Sequence, residues 1–228
     1  MRFPPFSLSS RKEIRLYLPR QFREDRTDVL HGAIRDYPMA QLVTFGTEGL
    51  EATPLPLLLD LSDNGQGVLL GHLARANPQW KTADRSVEAL AIFSGPDSYI
   101  SPGWYETKRQ TGKVVPTWNY VTIQVRGRIS FFEEATPLLD IVRRLTETHE
   151  AGRDAPWAVS DAPEDYVASQ LRAIVGLRME ITDITGKWKM SQNRSEADRG
   201  GVIEGLRAEG KPDADAVADL VAEAMGED

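Results

Sequence analysis

Three short segments combine tryptophan with cationic or amide side chains at positions within a predicted strand or at its end. They are residues 71–80 (GHLARANPQW), 113–120 (KVVPTWNY) and 186–194 (GKWKMSQNR). An indole offers a face or edge to a planar ring, and Arg, Lys, Asn and Ser offer hydrogen-bond donors to an anion. A flat aromatic cofactor with an anionic tail needs both kinds of contact. Together, the segments predict a site for such a cofactor.

The first segment adds a backbone contribution. A predicted strand over residues 67–73 ends there, and a helix is predicted over residues 77–84 with Pro78 in its first turn. A phosphate at that helix start would meet free backbone amides. Structural roles remain open for the same residues. Asn77 could cap its helix, His72 could be a hydrogen-bonded structural residue, and Lys187 and Lys189 could face water.

Other chemical signatures are absent from the sequence. The glycines at 65, 67 and 71 miss the G-x-G-x-x-G spacing, and neither a P-loop nor a G-x-S-x-G motif occurs. The three histidines lack metal-ligand spacing. With no cysteine, disulfides, thiolate metal sites and a cysteine nucleophile are excluded.

Charge is distributed unevenly along the 228 residues. The net charge is −7, and residues 195–228, with ten acids and three bases, account for all of it. The remainder balances at 24 acids and 24 bases, so no domain-wide basic excess favours nucleic acid. Neither a membrane-spanning apolar run nor a signal peptide is predicted, which favours a cytoplasmic protein without membrane contact.

The predicted elements place most strands together. Residues 40–45, 51–60 and 67–73 predict a meander, in which Pro54 and Pro56 put the second strand at an edge or beside a ligand. The other predicted elements are strands 87–93, 114–132 and 177–190, helices 25–37, 137–150, 163–174, 195–208 and 214–225, and a loop over 95–112. This order favours a mainly β or α+β antiparallel barrel with peripheral helices and a helical C-terminal end.

The sequence resembles the PaiB-type family of FMN-binding negative transcriptional regulators. The resemblance spans roughly residues 16–208 and is carried by the three tryptophan segments together with residues 17–22 (YLPRQF), 50–56 (LEATPLP), 101–105 (SPGWY) and 156–157 (PW). It implies an antiparallel split β-barrel related to pyridoxamine-phosphate oxidase, forming a homodimer with FMN at the subunit interface. The predicted organisation is a flexible extension (1–15), an FMN-binding split-barrel domain (16–194) and an acidic helical segment (195–228).

The resemblance also implies roles for individual residues. The backbone from Thr53 to Leu55 is expected at the flavin ring edge, His72 near the ribityl chain or phosphate, and Arg75 and Asn77 at the phosphate. Residues expected to approach the flavin from the partner subunit or to close the site are Trp118, Asn119, Lys189, Gln192 and Asn193.

Three functions follow as hypotheses. The first is a flavin-linked sensor and repressor homodimer, whose contact with DNA rests on the resemblance alone. The second is an FMN-dependent oxidoreductase with Tyr99, Trp104 and Tyr105 as a substrate wall. The third is a haem-binding split barrel with His72 as axial ligand.

Overall fold

The computed structural model describes residues 16–62 and 66–226. The predicted extension over residues 1–15 and the predicted turn at residues 63–65 lie outside these described residues. The strands are β1 (Arg23–Glu24), β2 (Met39–Gly46), β3 (Gly49–Pro56), β4 (Leu58–Asp60), β5 (Val68–Ala74), β6 (Ala89–Ile100), β7 (Thr117–Phe132) and β8 (Ile174–Lys189). The helices are α1 (Thr27–Asp36), α2 (Gln79–Thr82), α3 (Glu106–Thr111), α4 (Ala135–Glu150), α5 (Glu164–Arg172), α6 (Glu196–Glu209) and α7 (Pro212–Gly226).

The strands form one antiparallel sheet in the order β3-β2-β6-β7-β8-β5-β4, and β1 pairs with β8. β3 and β4 lie at opposite ends of this order, although only Leu57 separates them in the chain. The chain therefore changes partner strand at Leu57 and closes the sheet into a barrel. The predicted single strand over 51–60 is thus two strands, while the predicted edge position of Pro54 and Pro56 is confirmed.

Barrel closure depends on a small residue in β5. A Cβ at Gly71 would lie 2.8 Å from the Leu57 side chain and 3.1 Å from the carbonyl oxygen of Pro56. The β3–β4 bend can pass this close because glycine has no side chain there. The inner faces of the strands supply fully buried residues such as Phe93, Ile123 and Leu177 to the core.

β6 is longer than the sequence predicts. The predicted strand ended at Phe93, but β6 continues to Ile100, with a shift of register between Ser94 and Asp97 opposite β7. A bulge of this kind bends the strand and lets pairing resume beyond it. As a result, Tyr99 lies beside Trp118 on paired strands rather than in the predicted loop.

Helices cover the barrel on two sides. α4 places Ile141 and Leu145 over Val68 and Leu70, on the outer face of β5. α6 and α7 bury Val202, Leu206, Val217, Val221 and further residues in the same core cluster as the barrel strands. The architecture is an α+β antiparallel barrel with peripheral helices, as predicted.

Candidate functional site

The loop between β5 and α2 is tied to the strands β2 and β3. The Asn77 amide donates to Thr53 Oγ1 at 3.0 Å, and its oxygen accepts the Gln79 backbone N–H at 2.9 Å. Gln79 is 1% exposed, and its Nε2 donates to the Leu42 carbonyl and to Thr44 Oγ1 at 3.2 and 3.1 Å. Thr53 and Asn77, both predicted site residues, are therefore direct neighbours.

α2 differs from the helix predicted over residues 77–84. It contains only the four residues Gln79–Thr82, so its dipole is small, and Asn77 already binds its first N–H. The short helix and the occupied Gln79 N–H leave less backbone contribution to an anion than expected, so an anion near this loop would depend more on side chains.

Arg75 is engaged by other parts of the chain. Its guanidinium donates to the carbonyls of Arg172 and Ile174 at 2.6 and 3.2 Å and forms an ion pair with Glu133. The Trp80 indole donates to the Arg75 carbonyl at 3.0 Å. Arg75 therefore links its loop to the start of β8, and a phosphate at this position would compete with Glu133.

His72 lies on the outer face of β5, beside a groove under α4. The groove has a volume of about 280 Å³ and is lined by Pro56, His72, Leu145, His149, Trp157 and neighbouring residues. His72 Nδ1 is buried and has no hydrogen-bond partner among the described residues. Burial lowers the pKa of His72, so the imidazole is neutral near pH 7.

Leu55, by contrast, is 4% exposed and belongs to the core, which leaves only its backbone for a ligand.

A second group of site residues lies on the outer face of β7 and β8. Trp118 is 53% exposed and makes an edge-to-face contact with Tyr99, with ring centroids 5.9 Å apart. Next to them, Ser94, Asp97, Trp118, Tyr120, Thr122 and adjacent residues line an open cavity of about 380 Å³. This surface offers aromatic edges to a planar ligand.

Two lysines stand next to this cavity on the same face of β8. Lys189 Nζ donates to Thr117 Oγ1 at 2.5 Å and to the Trp118 carbonyl, and Lys187 Nζ donates to the Tyr17 carbonyl at 3.1 Å. Both ammoniums lie over the Tyr120 ring, at 5.2 Å for Lys187 and 5.9 Å for Lys189. Burial, followed by the positive charges of Lys187 and Arg194, lowers the pKa of Lys189.

The turn after β8 holds its own side chains in place. Asn119 is fully buried, and its amide nitrogen donates to Ser191 Oγ at 3.0 Å. Ser191 adopts a left-handed conformation with φ 62°. Gln192 accepts from the Met190 N–H and donates to the Trp188 carbonyl, at 2.7 and 2.8 Å. Asn119 and Gln192 thus shape the turn from within the chain, whereas Asn193 is exposed.

The ten predicted residues therefore separate into two groups. Thr53, His72, Asn77 and their neighbours lie around β3 and β5. Trp118, Asn119, Lys189, Gln192 and Asn193 lie around β7 and the end of β8. No hydrogen bond, ion pair or ring contact recorded among residues 16–62 and 66–226 joins the two groups.

Sequence reasoning misjudged two aromatic residues and missed three others. Tyr105 is fully buried, and Trp104 packs against Gly205 of α6, so neither forms the predicted substrate wall. Tyr120 and Lys187 belong to the β7–β8 face but were not predicted as site residues, and Tyr17 was not either. Tyr120 lies two residues from Trp118, and Lys187 lies two residues from Lys189. Because alternate residues of a strand share a face, this spacing could have identified Tyr120 and Lys187.

Among residues 16–62 and 66–226, no cluster of three or more His, Cys, Asp or Glu side chains could hold a metal ion. None of the helices described is both long and apolar enough to cross a membrane.

Similarity to known proteins agrees with this architecture. The curated relatives include "Protease synthase and sporulation protein PAI 2" of Bacillus subtilis, 32% identical over 206 residues, covering 90% of this chain and 96% of the relative. An uncharacterised protein of Emericella nidulans is 34% identical, covering 91% of this chain and 97% of its own.

Among solved structures, the flavocytochrome Anf3 of Azotobacter vinelandii aligns with a TM-score of 0.54 and 13% identity, covering 84% of this chain and 80% of the other. The FAD and haem binding protein of Mycobacterium smegmatis aligns with a TM-score of 0.51 and 14% identity, over 73% of each chain. At these identities the alignments establish the fold, which is the split barrel that the family resemblance implied. Residues 16–183 match the family described as "Putative FMN-binding domain". The chain belongs to this FMN-binding family, and FMN is its cofactor.

Proposed function

We propose that the protein is a flavin-linked regulatory homodimer that binds FMN between its two subunits. The observation that carries the proposal is the separation of the predicted site residues into two groups with no recorded contact in one subunit. Asn77 and His72 belong to one group, and Trp118 and Lys189 to the other. A twofold dimer brings different patches of two copies together, so each group could complete the other.

The residues present fit FMN in their chemistry. The groove beside His72 has a partnerless imidazole nitrogen, which suits a polar group of a bound ring. Thr53 and Asn77 supply a hydroxyl and an amide, and Trp118 and Lys189 supply an exposed indole and a cation. Bound FMN would supply reversible electron and hydride transfer, and these side chains would position it.

Two observations favour a sensor over an enzyme. Of the three aromatic residues expected as a substrate wall, only Tyr99 is exposed, because Trp104 and Tyr105 pack into the fold. In addition, the name of the Bacillus subtilis relative, "Protease synthase and sporulation protein PAI 2", refers to sporulation. A regulator whose flavin reports redox state or a metabolite agrees with both.

Mixed dimers test the shared site. We expect Asn77→Leu and Lys189→Met each to weaken FMN binding as homodimers. When the two variants are mixed under exchange, about half of the dimers are mixed and one of their two sites is intact, so about a quarter of all sites recover. Fluorescence quenching of FMN measures that recovery.

A matched control uses two variants from one group. Mixing Lys189→Met with Trp118→Ala restores no site, since each composite site lacks one member of that group. Recovery in this control, or a monomer by light scattering, would refute the shared site. Thermal unfolding of every variant separates lost binding from lost folding.

Regulation through DNA needs its own test, because residues 1–194 carry no excess of basic over acidic residues. Electrophoretic mobility shift with promoter DNA at two salt concentrations measures direct contact, which salt weakens. A shift at low salt that depends on flavin redox state supports a repressor. If no shift occurs at low salt, direct binding is excluded.

Spectroscopy distinguishes the alternatives. Anaerobic bleaching of bound flavin by NADH or NADPH, with turnover, would favour the FMN-dependent oxidoreductase. The partnerless nitrogen of His72 is the observation that favours haem. A Soret band that shifts in His72→Ala would support that alternative, whereas no Soret band after haem addition would remove it.

A further inference from the structure

We infer that Lys187 and Lys189 form a binding site for a small oxyanion of the phosphate or carboxylate type. The two residues stand on the same face of β8, two positions apart, with the Tyr120 ring against both ammoniums. We call Lys187, Lys189 and Tyr120 the lysine pair site. Lys189 also belongs to the proposed FMN site, but the inference does not require FMN, because it concerns any small oxyanion.

Burial of Lys187 is the first reason. The residue is only 6% exposed, yet the one hydrogen bond recorded for its ammonium goes to the neutral carbonyl of Tyr17. An ammonium has three donors, and taking its charge out of water is costly unless an opposite charge compensates. No carboxylate pairs with Lys187 within residues 16–62 and 66–226.

The neighbours increase the positive charge. Lys189 bonds to neutral oxygens of Thr117 and Trp118, and the charges that act on it are those of Lys187 and Arg194. Two like charges placed two residues apart on one strand repel each other. An anion between them would relieve that repulsion and accept charge-assisted hydrogen bonds from both ammoniums.

The surroundings favour a small oxyanion over a larger group. The Tyr17 carbonyl lies against Lys187, and the Tyr17 ring centroid lies 5.5 Å from its Nζ. Aromatic rings and neutral oxygens therefore occupy much of the space around the ammoniums. Such an oxyanion could be the phosphate of FMN or a separate anionic ligand, and both sources share the same chemistry.

Calorimetric titration of the full-length protein with inorganic phosphate tests the inference. We expect wild type to bind phosphate, and we expect Lys187→Met and Lys189→Met each to weaken that binding about tenfold or more. Lys113→Met removes an exposed lysine from the loop before β7 and should leave binding unchanged. We also expect Lys187→Met to unfold at the same or a higher temperature in phosphate-free buffer, because it removes an uncompensated cation.

FMN and riboflavin identify the source of the anion. If FMN competes with phosphate and binds about tenfold tighter than riboflavin, the site takes the FMN phosphate. If FMN-loaded protein binds phosphate as tightly as FMN-free protein does, the anion is a second ligand. Both results support the inference, and phosphate binding can be measured even if FMN does not bind at all, in which case only the proposed function fails.

Other results would overturn the inference. The first is that wild type binds no phosphate. The second is that all three lysine variants bind phosphate as tightly as wild type does. The third is that Lys113→Met loses as much affinity as Lys187→Met and Lys189→Met. Absence of phosphate binding together with a weaker dimer in Lys187→Met would show that a carboxylate of a second copy fills the role. If Lys187→Met does not fold, Lys189→Met alone decides between these results.

Discussion

Alanine substitutions at neighbouring glycines of α6 should change stability in opposite directions. A Cβ at Gly200 would meet nothing within 4 Å, whereas a Cβ at Gly201 would lie 2.0 Å from the backbone oxygen of Trp104. Alanine is favoured over glycine inside a helix by about 1 kcal/mol. Gly200→Ala should therefore stabilise the protein by about 0.5–1 kcal/mol and raise its Tm by about 1–4 °C.

Gly201→Ala has the same helix preference but an obstructed position. Because the obstructing atom belongs to the backbone, α6 or the loop at Trp104 must shift, and overpacking of this kind costs about 1–3 kcal/mol or more. We expect a net loss of about 1–2 kcal/mol and a Tm lower by about 2–8 °C. Gly205→Ala, whose Cβ would lie 2.2 Å from the Trp104 ring, should also destabilise.

Differential scanning calorimetry of the three variants checks these signs. A Tm increase in both Gly200→Ala and Gly201→Ala would refute the packing of α6 on the Trp104 loop. It would also favour the predicted boundary at residue 195 as a true break in the fold. The expected opposite signs would instead tie the C-terminal helices to the barrel.

Three further predictions concern titrating and buried groups. Hydrogen bonds from Ser62, followed by Arg144, lower the pKa of Asp60 to about 2 from 3.8, so wild type should lose about 2 kcal/mol of stability as pH falls from about 4 to about 2. Between pH 5 and pH 2.5, the free energy of urea unfolding should decrease less in Asp60→Asn than in wild type, and equal decreases would contradict the lowered pKa. Burial holds the pKa of His72 below 6.5, so the unfolded chain binds more protons and stability should fall as pH drops through 6.5. The decrease in Tm from pH 8 to pH 5.5 should be smaller in His72→Gln than in wild type, and an equal decrease would contradict the lowered pKa. Asn119→Ala leaves a buried hydroxyl without its partner and should cost about 1–3 kcal/mol in urea unfolding, while Asn193→Ala at an exposed position should change stability by less than about 0.5 kcal/mol.

Local pattern was sufficient for most elements. Alternating apolar residues predicted β7, and the amphipathic spacing of Leu138, Ile141 and Leu145 predicted α4. The change of partner strand at Leu57 was not predictable, because residues 51–60 have continuous strand character and the break depends on which strands they meet. The continuation of β6 past Pro96 was hidden for a similar reason, since the bulge is defined by its pairing with β7.

The candidate site shows the same division. The adjacency of Trp118 and Asn119 with the Lys189 segment follows from β7–β8 pairing, and consecutive strands commonly pair. The engagement of Arg75 by Glu133 joins residues 58 positions apart, and no local signal marks it. Trp104 and Tyr105 resemble ligand-contact residues by type, but their burial depends on α6, which lies about a hundred residues later.

The packing of α6 and α7 gives the acidic helices a fixed position. Residues 195–226 contain eight acids and three bases, and buried Val202, Leu206 and Val217 anchor these helices to the barrel. The negative charge of these helices therefore keeps a fixed orientation relative to the barrel and contributes to a permanent dipole moment, unlike charge on a flexible segment. A polyanion diffusing towards the protein would be turned away from that pole, so productive encounters would begin on the opposite hemisphere.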